Sequence, residues 1–190
     1  LGGNSLSDLL VFGARAGEYA ARFARENSRG GVDPAAVETA GREALAPFQR
    51  EGTEGENPFQ VQYDLQDVMQ DRVGIIRHAH RLESALEALR GLRERAARAV
   101  APGSREYNGG WHTALELENL LTVSEAVARA ALMRTESRGA HTRDDHPGKD
   151  PEWGKVNLVV RKGEDGEMRL ERRSIPPLPD ELRTIIEERG

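Results

Sequence analysis

Between Val61 and Arg134 apolar residues recur at helical spacing almost without interruption. Val61, Leu65, Val68, Met69 and Ile76 trace one stripe, with Gly74 as its weak point. Leu82, Leu86, Leu89, Ala96 and Val100 trace a second, and Leu117, Leu120, Leu121, Val127 and Ala131 a third. Residues three and four apart share a helix face, so each stripe predicts a helix with one side to bury. Arg77–His80 reads as a bend between the first two, and Ala101-Pro102-Gly103 as the stop of the second. The third runs from about Asn108 to Arg134. Three such helices on short connections most simply form an antiparallel, spectrin-repeat-like three-helix bundle. No a/d heptad is sustained, which argues against a free-standing coiled coil. Aromatics are only 5% of the chain, so Leu, Val, Ile and Ala must fill the core. The fold class is mainly α.

The flanks read differently. Asn4 and Ser5 precede Leu6, Leu9 and Leu10, which predicts a helix from there to about Asn27. Gly13 and Gly17 lie four apart on it, and close approach of another backbone would compensate their cost of about 1 kcal/mol each against Ala. Asp33-Pro34 is an N-cap and N1 pair that opens a second helix through about Phe48. Glu51–Pro58 has the Gly, Glu and Pro content of a linker and is expected to be a domain boundary. Beyond Thr135, Glu136–Pro151 reads as an irregular loop. Trp153–Val160 and Met168–Ile175 read as a hairpin turning at Lys162–Glu167. A Pro-rich exit at Pro176–Pro179 leads to a short helix from about Asp180.

Composition excludes several function classes. No cysteine is present, so there is no disulfide framework, thiolate nucleophile or Cys-ligated metal cluster. No apolar run reaches the roughly 20 residues that span a bilayer. Net charge is −5 and mean hydropathy −0.64, which disfavours nucleic acid as a partner. Of 27 basic residues, 24 are arginine, the lysines being Lys149, Lys155 and Lys162. Anion recognition by the guanidinium fork is one reading of that bias, and arginine on solvated helix faces is the plainer one. The chain opens on Leu1 rather than Met, which suggests processing or excision from something longer.

Two stretches could carry chemistry. In Leu1-Gly2-Gly3-Asn4-Ser5-Leu6 two glycines precede a helix start, where unpaired N–H groups and about half a positive charge suit a phosphate, a carboxylate or an electron-rich ring edge. It is neither a dinucleotide fingerprint nor a phosphate loop. The second stretch, Arg134–Pro147, gathers Arg134, Arg138 and Arg143, three acids, and His141 and His146 around Gly139. A catalytic reading pairs His141 with Asp144 or Asp145. A metal reading takes His141, Asp144, Asp145 and His146 as ligands. The plainer reading, preferred here, is a loop held by its own ion pairs and docked on a neighbour. His78 and His80 are too close in sequence to share a helix face, and Trp111-His112 reads as a packing anchor. No catalytic or metal-binding residue is assigned.

LGGNSLSDLLVFG, followed about 120 residues later by RTESRGAHTRDDHP, resembles the C-terminal part of the succinate dehydrogenase and fumarate reductase flavoprotein subunit. NPFQVQYDLQDVMQDRVGIIR and WHTALELENLL resemble that family's helical domain, and WGKVNLVV its closing segment. The resemblance covers essentially the whole chain. L-Aspartate oxidase shares the architecture and a related loop and is the near alternative. A non-catalytic helical protein-interaction module is the other.

The resemblance implies three regions: 1–50 the end of an FAD-binding domain contributing one or two helices, 58–136 the helical bundle, and 137–190 loop, hairpin and tail. It implies succinate–fumarate interconversion through FAD, with an iron–sulfur subunit, membrane anchor subunits and a quinone receiving the electrons. Ser5 and Leu6 match the family's flavin-binding pair. The histidine that attaches flavin, the proton-shuttling arginine and the substrate-binding histidines belong upstream, so this chain is expected to be inactive alone and to lack FAD. The full-length assembly is expected in the cytoplasm, peripheral on the inner face of the membrane. The apolar start of the first helix is expected to be displaced or to drive self-association.

Overall fold

The computed structural model describes residues 4–50 and 55–189, and divides into two compact units, Leu1–Glu43 and Ala44–Gly190. The glycines at 2 and 3 and the first half of the expected linker, 51–54, lie outside the described residues.

In the first unit, α1 (Asn4–Glu26) and the opening of α2 (Pro34–Gln49) are the helices expected from sequence. Asp33 caps α2 by accepting the N–H of Ala35 at 3.0 Å, and Pro34 supplies the fixed φ of the first turn. Every residue of α1 is exposed, including Leu6, Leu10 and Phe12. Among the described residues a Cβ at Gly13 or Gly17 meets nothing within 4 Å.

The second unit is built on α3 (Pro58–Val73), α4 (Ala79–Ala96) and α5 (Gly109–Met133), which form the expected three-helix bundle. Val61 and Leu65 of α3, Leu82, Ala85, Leu89 and Leu92 of α4, and Leu117, Leu121, Ala128 and Ala131 of α5 make one continuous core. Full burial contributes roughly 1.5–3 kcal/mol per large aliphatic side chain, which outweighs any single polar contact at the surface. Ion pairs stitch the helices laterally: Arg95 of α4 meets Asp64 of α3 and Glu56, and Arg93 meets Glu118 and Glu125 of α5. Each helix start is capped by a side chain. Asn57 accepts from Phe59 N, His78 from His80 N, and Asn108 from Trp111 N.

Two apolar stripes end earlier than their periodicity suggests. The first stops at Val73, and Ile76, at 60% exposure, lies in a two-residue strand β1 (Ile76–Arg77). That strand pairs in parallel with β2 (Thr142–Arg143). The second helix stops at Ala96, and Val100 lies in extended chain whose N–H bonds Glu56 O at 3.0 Å. There Gly55 is required, because a Cβ would sit 2.4 Å from Val100 Cγ1. In both places non-local backbone pairing replaces the helix that local spacing favours.

The hairpin is β3 (Val156–Lys162) against β4 (Met168–Ser174), in register from Val156↔Ser174 to Lys162↔Met168. Its first strand starts later than expected, because Trp153–Lys155 form a 3-10 turn that buries Trp153. A Pro-rich segment leads to α6 (Asp180–Arg189). Among the described residues no helix is long and apolar enough to cross a membrane.

Candidate functional site

The start of α1 carries the two residues singled out for flavin. Ser5 and Leu6 occupy the first turn of a 23-residue helix, and both are exposed, Leu6 at 69%. The first turn of any α-helix leaves its N–H groups without intrahelical partners.

The arginine-rich stretch after α5 is built more elaborately. Arg143, 1% exposed, donates Nε and Nη2 to the two oxygens of Asp145 at 2.7 and 2.6 Å. Its Nη1 turns the other way and donates to Ala131 O at 2.9 Å and Leu132 O at 3.2 Å, two carbonyls of the last turn of α5. Asp145 Oδ2 in turn accepts the N–H of Ala79, in the first turn of α4, at 2.9 Å. Asp144 N donates to Arg77 O at 3.0 Å, so the loop is fastened to the elbow between α3 and α4. Ser137 Oγ lies 2.8 Å from His146 O and accepts from Arg143 N, which closes the loop on itself.

Glu136 is a second buried hub. Its side chain accepts from Arg138 Nε at 2.8 Å and Nη2 at 2.9 Å, from Asp150 N at 2.9 Å and from Arg134. Arg134 also lies over the Trp153 ring, 5.1 Å from its centre, and Arg172 stands over the same ring at 3.8 Å. Trp153 Nε1 donates to Thr135 Oγ1 at 3.0 Å, so the buried indole leaves no polar atom unpaired.

These contacts set the charge states. The Arg138 guanidinium, joined by the Asp150 N–H and Arg134, draws the Glu136 carboxyl down to about 2 despite burial. Arg143 holds Asp145 well below the usual carboxylate range. Burial lowers His141 below the ordinary 6.5, and the nearby cations of Arg77, Arg143 and Arg134 reinforce the shift.

The partners of His141 lie outside the loop's aspartates. His141 faces Arg77 Nη1 at 2.8 Å and Arg134 O at 3.1 Å, and neither Asp144 nor Asp145 bonds to it. The acid–base pair is therefore not formed. Among the described residues no group of three or more His, Asp or Glu side chains could hold a metal ion. The loop is a docked structural element, and its neighbour is the α3–α4 elbow. Sequence reasoning missed Arg77 as the receiving side chain. The only local signal was an arginine directly after Ile75 and Ile76, where the stripe ends. His78 and His80 sit together at the cap of α4, and Trp111 is an anchor whose Nε1 donates to Ala44 O at 2.7 Å.

Residues 62–182 match the family described as fumarate reductase flavoprotein C-term. The fumarate reductase flavoprotein subunit of Mycobacterium tuberculosis is 38% identical over 176 residues, covering 90% of this chain and 30% of that protein. The succinate dehydrogenase flavoprotein subunit of Coxiella burnetii is 35% identical over 168 residues, 86% of this chain and 28% of that one. Among solved structures, Mycobacterium smegmatis Sdh1 in complex with UQ1 superposes with a TM-score of 0.87 at 47% identity, covering 97% of this chain and 32% of that one. The chain thus spans about 30% of the length of the relatives it matches. A match through the bundle, loop and hairpin, with relatives aligned along nine-tenths of the sequence, means that this chain belongs to the fumarate reductase flavoprotein C-terminal family.

Proposed function

We propose that this chain is the C-terminal portion of a flavoprotein that interconverts succinate and fumarate and sends electrons through an iron–sulfur subunit to a quinone. The observation that carries the reading is alignment over 90% of this chain with about 30% of a fumarate reductase flavoprotein subunit. The UQ1-bound relative supports a quinone as the acceptor. In this reading residues 1–50 complete an FAD-binding domain, 58–136 form the bundle, and 137–190 are loop, hairpin and tail. The assembled protein sits peripherally on the inner membrane face, held by anchor subunits.

FAD, when bound, supplies the hydride and electron transfer. The residues of this chain contribute binding and electrostatics. Ser5 and Leu6 line the ring edge, and the N-terminal N–H groups of α1 oppose negative charge there. Such a contact is worth about 0.3–1 kcal/mol when exposed and up to ~2 when partly buried, so it raises the flavin potential modestly. The substrate-handling groups come from the part of the full-length protein outside this chain. Alone, the chain is expected to be colourless and inactive toward succinate.

A chimera tests the reading: these 190 residues replace the matching segment of M. smegmatis Sdh1. Retained flavin and succinate oxidation support it, and a folded, flavin-bearing but inactive chimera counts against it. In the active chimera Leu6→Pro removes one N–H at the helix start and should lower the flavin potential. An unchanged potential with flavin still bound rules out the assignment of Ser5 and Leu6.

A further inference from the structure

His141 holds a position unlike any other histidine here. Its ring bridges Arg77 Nη1, on β1, and the main-chain carbonyl of Arg134, at the end of α5. Arginine can only donate, so Nδ1 must accept from Arg77, and Nε2 must carry the proton given to Arg134 O. Only the neutral ring satisfies both. The charged groups facing it are Arg77 from β1, Arg134 from the end of α5 and Arg143 from β2, all cations. The nearby carboxylates are engaged elsewhere, Asp145 with Arg143 and Ala79, and Glu136 with Arg138 and Arg134. Around the ring lie the contacts that dock the loop: Ile76↔Thr142, Arg77↔Arg143 and the bond from Asp144 N to Arg77 O.

We propose that His141 is a proton-operated latch that fastens the 134–146 loop to the α3–α4 elbow when neutral and releases it when protonated. A proton added at Nδ1 converts the acceptor into a donor that confronts the Arg77 N–H. It also places a fourth positive charge among three arginines. The main-chain bonds to Arg77 and the Asp145 cap of α4 do not titrate near neutrality, because Asp145 is held low. Their loss follows from the ring's protonation and does not precede it. The sign is fixed by burial and the cations, which lower the docked ring's affinity for protons below that of a free ring at about 6.5. Docking is complete above that pH and weakens as pH falls below it.

Two measurements on the 190-residue chain test this between about pH 7.5 and 4.5: the His141 ring titration by NMR, and hydrogen exchange at the Asp144 and Ala79 amides referred to the core amide of Leu121. Protection at the two loop-facing amides should begin to fall near the free-ring value of about 6.5, by up to about tenfold per pH unit, and level off below the docked ring's own titration midpoint. His141→Asn keeps an acceptor for Arg77 without a titrating group, and should flatten the response. His78, which accepts from His80 N, and His146, which joins the loop through its main chain, remain as internal controls. Flat protection in the wild type, a fall outside the interval between about 6.5 and the docked ring's midpoint, or a response that persists in His141→Asn would overturn the latch. Where the variant fails to dock at any pH, the position of the wild-type fall inside or outside that interval decides.

Discussion

Arg143 and Asp145 form a two-pronged pair that joins the end of one helix to the beginning of another. The guanidinium lies on the last carbonyls of α5 and the carboxylate on the first turn of α4. Each charge thus meets the helix end of opposite partial charge, and the pair's mutual bonds at 2.6 and 2.7 Å complete the link. Two residues apart in sequence, they fasten elements that are about fifty residues apart.

Removing one member of that pair strands the other. Arg143→Met should cost about 3–5 kcal/mol in urea unfolding, since it leaves Asp145 and the α5 carbonyls without their cation. The double variant Arg143→Met/Asp145→Leu should recover part of the loss. A single-variant cost below about 1 kcal/mol would show that water replaces the guanidinium.

The two asparagine caps are not equivalent. Asn108 accepts from Trp111 N and also donates to Pro102 O and Ser104 O, at 3.1 and 2.8 Å, which ties down a loop holding Tyr107 at φ 55°. Asn57 accepts from Phe59 N at 3.0 Å. Asn57→Ala should cost about 1 kcal/mol and Asn108→Ala nearer 2, as read by denaturant midpoints. Equal costs would mean that the loop bonds contribute nothing net.

Acid should loosen the loop at Glu136. Its carboxyl titrates near 4.5 unfolded and about 2 in place, so its contribution is complete above 4.5 and disappears as pH falls through 2. Trp153, whose indole neighbours the Arg134 side chain bonded to Glu136, reports the change by fluorescence. Glu136→Gln should remove this acid dependence while lowering stability at pH 7. An acid limb identical in the variant would assign it to other carboxylates.

At Gly55 the fold needs a bare backbone. Gly55→Ala should cost about 1–3 kcal/mol through collision with Val100. Val100→Ala removes the colliding methyls, so the double variant should be less destabilised than the two losses added together. Strict additivity would place the clash elsewhere.

The apolar residues of α1 give the last expectation. Leu6, Leu9, Leu10 and Phe12 are each more than half exposed, and in the isolated chain they should drive concentration-dependent dimerisation seen by sedimentation. Leu10→Glu/Phe12→Glu should abolish it. A wild-type monomer at all concentrations contradicts this expectation.

Much of the fold was legible from local pattern. The three bundle helices, the start of the third at Asn108 and the hairpin follow from periodicity, capping chemistry and turn residues, all encoded within a few positions, whereas the Asn57 cap lay inside the expected linker. The errors share one cause. Ile76 and Val100 continue an apolar stripe but leave the helix to pair with β2 and with Glu56, partners more than forty residues away. Trp153 reads as strand and instead turns inward, because its burial between Arg134 and Arg172 outweighs β-propensity. The loop at 134–147 was recognisable as an ion-paired element, but His141's partner Arg77 was not.

Sequence by itself determined which segments become helices, where they start, and that the chain carries the signature of a flavoprotein's C-terminal part, since these depend on spacing and side-chain type along the chain. Only the tertiary structure decided the ionisation of Glu136, Asp145 and His141 and the docking of their loop on the elbow. A charge state is fixed by what lies within a few ångströms in space, and for His141 the deciding neighbours include Arg77 of β1, 64 positions away along the chain.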